Sequence, residues 1–169
     1  MPPTLELRRY QPADQDRVRE LHEAAMREVG AYVADAPDTD LETIPETYLA
    51  EGTFLVGEVD GRIVAMGALR PATGYITEFV DDLPETTAVL KRMRVDPAHQ
   101  RQGYGSRLLA ALEDRARELG FTELVLDTTP TQVAAKRLYE SHGYEQVQRE
   151  QVRLAGEELV LLCYRKSLE

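Results

Sequence analysis

The six residues 100 to 105, QRQGYG, put two glycines and an arginine into a turn between an apolar strand-like run and a helix-like one. Gly103 and Gly105 permit backbone conformations closed to other residues, and their missing side chains let a ligand approach the main chain. At a helix N-terminus, unpaired N–H groups and the macrodipole favour negative charge, so such a turn is suited to cradling a phosphate, with Arg101 adding charge. Two well-known phosphate loops do not fit. A nucleoside triphosphate loop needs Lys-Ser/Thr directly after its last glycine, where this chain has Ser106-Arg107. A dinucleotide fingerprint wants a third glycine where Leu108 stands, and Asp127 alone compensates poorly.

Other reactive residue types are sparse. The single cysteine, Cys163, sits inside the apolar run Leu159 to Tyr164 and reads as core packing. With one thiol the chain closes no internal disulfide. His22, His99 and His142 lack ligand-spaced partners, so no metal is expected. Acidic residues are unevenly spread. Asp35, Asp38, Asp40, Glu42, Glu46 and Glu51 fall in residues 31 to 51, and Glu78, Asp81, Asp82 and Glu85 in residues 71 to 90, with no Lys or Arg in either stretch. These ten acids account for the net charge of -10. Residues 91 to 101 are locally positive, with Lys91, Arg92, Arg94 and Arg101 against Asp96. The overall balance argues against nucleic acid or an anionic membrane as partner.

The elements that must position these residues follow from periodicity and turn chemistry. At 169 residues and 43% hydrophobic composition, one domain spanning residues 1 to 169 is expected, burying roughly two-thirds of its unfolded surface. The longest apolar run is far short of a membrane span, and MPPTLELRRY does not read as a secretory signal, so a cytoplasmic location is expected. Residues 4 to 9 alternate as a strand, and Val18, Leu21, Ala25 and Val29 mark a helix over 13 to 29. A short helix near 41 to 50 has Pro45 in its first turn or broken by it. Residues 53 to 59 and 62 to 69 form a hairpin about Asp60-Gly61, a type I′ turn. A Pro- and Gly-marked loop runs from Pro71 to about Glu85, and a strand through Val89 to Val95 stops at Asp96-Pro97. A helix over 105 to 119, a strand over 121 to 127, a helix over about 131 to 141 and strands near 144 to 153 and 158 to 165 complete the chain. The order β-α-α-β-β-β-α-β-α-β-β describes an α/β fold, a mixed twisted sheet of about seven strands flanked by about four helices.

The strand RMRV, the turn DPAHQRQGYG and the later AAKRLYESHGY together resemble the GCN5-related N-acetyltransferase superfamily. Its loop pattern is met at Gln100, Gly103 and Gly105, and its late pattern at Ala135, Leu138, Tyr139, Gly143 and Tyr144. The resemblance covers residues 50 to 145 in order and spacing. It implies acetyl-CoA as co-substrate, with the pyrophosphate on the amides of Gln100, Arg101, Gln102, Gly103, Tyr104, Gly105 and Ser106. It also implies pantetheine pairing along Met93, Arg94 and Val95, with a strand bulge at Met93 turning an amide toward the thioester carbonyl. Tyr139 matches the tyrosine that serves the departing sulfur, although an aromatic joining helix to sheet is the alternative reading. Gln132 takes a position where many members carry Asn.

One departure matters for chemistry. An attacking amine must lose a proton, and the glutamate that accepts it in many members is replaced here by Val89. Glu78, Asp81, Asp82 and Glu85, His99 or bulk water are the candidate replacements. In the family fold the two acidic stretches flank the acceptor side, which implies a negative acceptor mouth that draws a cationic amine, unless those acids are only solvated surface. The expected function is therefore acetyl transfer to a primary amine of a small cationic molecule by direct attack. The alternatives are a protein or peptide N-acetyltransferase, or a non-catalytic acyl-CoA-binding module. The resemblance further implies a homodimer, with the C-terminal strand as its site.

Overall fold

Asp60 and Gly61 both take positive φ, 50° and 78°. That is the twist a two-residue I′ turn needs to join right-twisted strands, and it fixes β2 (Thr53–Val59) against β3 (Arg62–Pro71), with Val59 opposite Arg62. The computed structural model describes residues 4–30, 38–154 and 156–169. Around the hairpin lie β1 (Glu6–Arg9), α1 (Gln15–Glu28), α2 (Tyr75–Phe79), β4 (Thr87–Val95), α3 (Tyr104–Glu118), β5 (Glu123–Thr128), α4 (Val133–Ser141), β6 (Glu145–Leu154) and β7 (Glu157–Ser167). They build one seven-stranded sheet of order β1-β2-β3-β4-β5-β7-β6. Every pairing is antiparallel except β4 with β5. No helix among the described residues is long and apolar enough to cross a membrane.

The sheet buries both faces, which explains the long apolar runs in its central strands. On one face α3 and α4 cover Leu69, Leu90, Leu124, Leu126 and Leu162, using Leu108, Leu112 and Tyr139. On the other, α1 sets Val18 and Leu21 against Phe54, Val56 and Met66, while α2 sets Ile76 beside Val89, Val125 and Cys163. Cys163 is fully enclosed, and burial pushes its thiol up to about 12.

Two short elements differ from the sequence-based expectation. The stretch expected as a helix near 41 to 50 is a 3-10 turn at Thr39–Leu41 followed by one π-helical turn at Pro45–Leu49, because the proline ring removes a donor and widens the turn. The expected loop from Pro71 to Glu85 contains α2, five residues long and started from Gly74 at φ 77°. Asp35 lies outside the described residues.

Candidate active site

The site begins with an irregularity in β4. Met66 pairs with Arg94 and Ala68 with Lys91, so Arg92 and Met93 share the single partner Gly67 in a β-bulge. Arg92 has φ 60°, a left-handed conformation that costs a non-glycine residue on the order of 1 kcal/mol. An ion pair holds it there. Arg92 donates to both oxygens of Asp40, at 2.9 and 2.6 Å, and its Nη2 lies 3.0 Å from Asp38 Oδ1. Gly67 is required opposite: a Cβ there would stand 2.5 Å from Met93 Sδ and 2.8 Å from Leu112 Cδ1. The bulge thus sends Met93 toward α3 and Lys91, Arg92 and Arg94 toward α1 and α2.

Beyond the bulge the sheet opens. β4 and β5 pair only over Thr87–Val89 and Glu123–Val125, whereas β5 stays with β7 as far as Thr128. The Asp96 N–H donates to Val64 O at 2.8 Å, so 96/64 and, by antiparallel alternation, 94/66 are the hydrogen-bonded pairs. The backbone groups of Met93 and Val95 therefore face away from β3, into the gap. Their carbonyls are met by side chains: Arg94 Nη1 donates to Met93 O at 2.8 Å and Gln100 Nε2 to Val95 O at 3.2 Å.

A cleft of about 860 Å³ passes through this gap. On the α3/α4 side it is lined by Gln132 and Tyr139, and on the α1/α2 side by His22, Arg70, Tyr75, Lys91, Arg92, Arg94 and Asp127. Gln132 precedes α4 and donates from Nε2 to Thr129 Oγ1 at 3.2 Å. Tyr139 packs 5.7 Å from Tyr144, ring to ring, and its hydroxyl makes no hydrogen bond among the described residues. Burial pushes that hydroxyl up to about 12, against the opposing pull of Arg94. Thr128 Oγ1, in the same wall, is buried with no hydrogen-bond partner among the described residues.

The QRQGYG turn follows directly from the cleft-lining strand, tied to it by Gln100. Gly103 is the left-handed cap of α3 at φ 79°. Among the described residues, no N–H of residues 100 to 106 donates to a protein oxygen, so the turn presents a row of open donors. Gly105 has a second reason to be glycine: its Cβ would stand 3.2 Å from Leu138 Cδ2, where α3 crosses α4. Tyr104 points inward against Leu5, Val59 and Val64, which leaves only its backbone for a ligand. Ser106 Oγ lies 3.0 Å from His142 Nε2. A row of open amides beside an outward-facing strand edge fits a diphosphate joined to an amide-bearing arm.

Of the residues singled out in the sequence, Met93, Arg94, Gln132 and Tyr139 line the cleft, while Val95 and residues 100 to 106 continue from its edge. Glu78, Asp81, Asp82 and Glu85 do not line it. Three of these, Asp81, Asp82 and Glu85, border a separate groove of about 330 Å³ at the far end of α2. Val89 is 2% exposed in the α2 core, where no proton acceptor would be reachable.

Sequence reasoning passed over Arg70, Tyr75 and the cleft role of Asp127. The Tyr75 hydroxyl donates to Asp127 Oδ2 at 2.9 Å. Asp127 differs from the other cleft carboxylates: Asp38 and Asp40 are paired with Arg92 and Glu158 with Arg153. Burial tends to raise Asp40, but the Arg92 guanidinium and the Tyr48 hydroxyl at 2.6 Å outweigh it and hold the carboxyl below the usual range. His22 accepts from Arg94 Nε at Nδ1, 3.2 Å, which leaves its proton on Nε2, 3.3 Å from Asp38. Burial beside Arg94 and Arg92 drives His22 down to about 4. Among the described residues, no three His, Cys, Asp or Glu side chains are grouped to hold a metal.

Comparison with known proteins agrees with this geometry. The sequence model of the acetyltransferase (GNAT) family matches residues 16–144. Human N-acetyltransferase 8 is 34% identical over 118 residues, covering 68% of this chain and 48% of that protein. Rat N-acetyltransferase 8F1 is 32% identical over 117 residues, covering 68% and 49%. The chain spans about half the length of these curated relatives. Among solved structures, a GNAT-family acetyltransferase from Staphylococcus aureus superposes with a TM-score of 0.82 at 19% identity, covering 98% of this chain and all of that one. The putative acetyltransferase yncA from Salmonella typhimurium, solved with its cofactor acetyl-CoA, gives 0.75 at 23% identity over 98% and 94%.

Proposed function

The chain belongs to the acetyltransferase (GNAT) family, and from that premise we propose that it moves an acetyl group from acetyl-CoA to a primary amine of a small molecule, by direct attack in a ternary complex. Residues 1 to 169 act in this reading as one N-acetyltransferase domain. The observation that carries it is the opened β4 edge, with the backbone of Met93 and Val95 facing the gap and the open amides of residues 100 to 106 next along the chain. The acetyl-CoA complex of yncA, a fold neighbour, supports the same donor.

Acetyl-CoA supplies an activated thioester carbonyl. The turn amides and Arg101 hold its diphosphate, and the β4 edge aligns its pantetheine arm, displacing the Gln100 and Arg94 side chains from the two carbonyls. Backbone N–H groups of the bulge stand where charge gathers on the carbonyl oxygen. The amine nitrogen bonds to the acetyl carbon as the carbon–sulfur bond breaks. Tyr139 donates a hydrogen bond from its hydroxyl to the departing sulfur, which leaves as the thiolate, and the proton lost by the amine goes to Asp127, directly or through water. A phenol held near 12 keeps its proton beside a thiolate whose conjugate acid lies at about 8.5, so it stabilises the leaving group by that hydrogen bond.

Thiol release from acetyl-CoA with a panel of amines tests the proposal, alongside calorimetric binding of acetyl-CoA. Tyr139→Phe is expected to lower kcat about 100-fold with the acetyl-CoA Kd unchanged. Binding of acetyl-CoA without acceleration by any amine would leave a binding module instead.

A further inference from the structure

Four basic side chains, Arg70, Lys91, Arg92 and Arg94, meet on the α1/α2 side of the cleft with three carboxylates, Asp38, Asp40 and Asp127, and among the described residues the only one of the four in an ion pair with a carboxylate is Arg92. Arg92 takes Asp40 and Asp38. Arg94 is bonded to His22 and to Met93 O. Arg70 and Lys91 have no carboxylate within ion-pair distance among the described residues. Arg70 Nε is buried with no hydrogen-bond partner among the described residues. Its guanidinium lies 5.7 Å from the centre of the Tyr48 ring, and Lys91 Nζ lies 5.5 Å from that of Tyr75. Aromatic faces attract cations but do not neutralise them. Burial pulls Lys91 below the ordinary lysine range, with Arg92 and Arg70 adding to the fall and Asp127 opposing it.

Partly buried charge without a counterion is costly, and a bound anion removes that cost. A cationic acceptor would meet these same charges as repulsion. Of the two acidic stretches that suggested a cationic acceptor from the sequence, Glu78, Asp81, Asp82 and Glu85 stand outside the cleft lining, and Asp38 and Asp40, which line it, are taken up by Arg92. Lys91 precedes Met93 by two residues, roughly 7 Å of strand, so an anion on Lys91 lies close to the gap where the amine must attack.

Resting on the acetyl-transfer reading above, we infer that the acceptor carries its own carboxylate a few bonds from its amine, as an amino acid does, and that Lys91 and Arg70 hold that carboxylate. The pair orients the acceptor so that its amine points to Asp127 and the gap between β4 and β5.

The test uses the full chain with CoA bound, and as probes the L-amino acids, their carboxamides and the corresponding decarboxylated amines. Binding is read by calorimetry and transfer by thiol release. One or more amino acids are expected to bind, and to react with kcat/KM about tenfold or more above their carboxamides. Lys91→Met and Arg70→Gln should erase this discrimination while acetyl-CoA affinity stays constant; a merely structural role would lower both probes alike. Equal or better use of the carboxamides or plain amines overturns the inference and leaves acetyl transfer intact. Carboxylate-dependent binding that needs Lys91, with no transfer to any probe, supports the subsite and overturns the enzymatic reading.

Discussion

Asp127 stands at the mouth of the opened gap with a tyrosine hydroxyl as its hydrogen-bond donor and no cation paired with it among the described residues. That makes it the cleft carboxylate free to take a proton, in a chain where Val89 fills the position the family resemblance reserves for a glutamate. Asp127→Asn is expected to reduce kcat/KM about 100-fold near neutral pH, with the deficit shrinking as pH rises and the free amine no longer needs a base. A pH–rate profile of both proteins checks this; parallel curves would remove Asp127 from proton transfer. His22 gives a stability prediction with a definite sign. Its folded value of about 4 lies below the ordinary 6.5, so between those limits the unfolded chain binds a proton that the folded one refuses. Stability therefore falls as pH drops from about 6.5 toward 4. His22→Gln lacks this contribution, and its urea midpoint should lose less than the wild type's between pH 7.5 and pH 5.

The bulge in β4 depends on neighbours from other elements: the Asp40 carboxylate from the segment after α1, and the bare Gly67 of β3. Gly67→Ala forces Met93 or Leu112 to move and is expected to cost about 1–3 kcal/mol in chemical denaturation. It should also weaken acetyl-CoA binding, since it disturbs the strand edge that faces the gap. Much of this framework was legible in the sequence. Asp60-Gly61 announces its hairpin, and the apolar stripe of Leu108, Leu109, Leu112 and Ala116 announces α3, because turn chemistry and helical period are local properties. The five residues of α2 are too few to show a period, and Pro45 distorts the turn that holds it. The acceptor half of the cleft was harder to read. Arg70, Lys91 and Asp127 come from three strands and become neighbours only through sheet register, with the bulge deciding which face Lys91 and Arg92 share. Consecutive cations inside an otherwise apolar strand were the available clue. The acidic residues around Asp81 were conspicuous in composition but stand along a different groove.

Over the whole molecule, a net charge of -10 surrounds a cleft whose walls carry two cations, Arg70 and Lys91, outside any ion pair among the described residues. The two fields act over different distances. At about 0.01 M salt the screening length is about 30 Å and the overall negative charge repels an anionic donor, whereas at about 0.1 M it falls to about 10 Å and the local cations dominate. The kcat/KM for acetyl-CoA is therefore expected to pass through a maximum with increasing salt, and a steady decline from the lowest ionic strength would contradict this. The seal on the opened strand has a consequence beyond catalysis. An interior strand that parts from its neighbour exposes the same bare hydrogen-bonding groups as a sheet edge, which invite a stray strand from another molecule. With Gln100 and Arg94 folded back over the Val95 and Met93 carbonyls, the protein keeps that invitation closed. A narrow, flexible arm can trade places with two side chains, but an intruding polypeptide would have to strip both at once, so contacts that in the proposed binding mode give way to the donor also guard the chain against clumping.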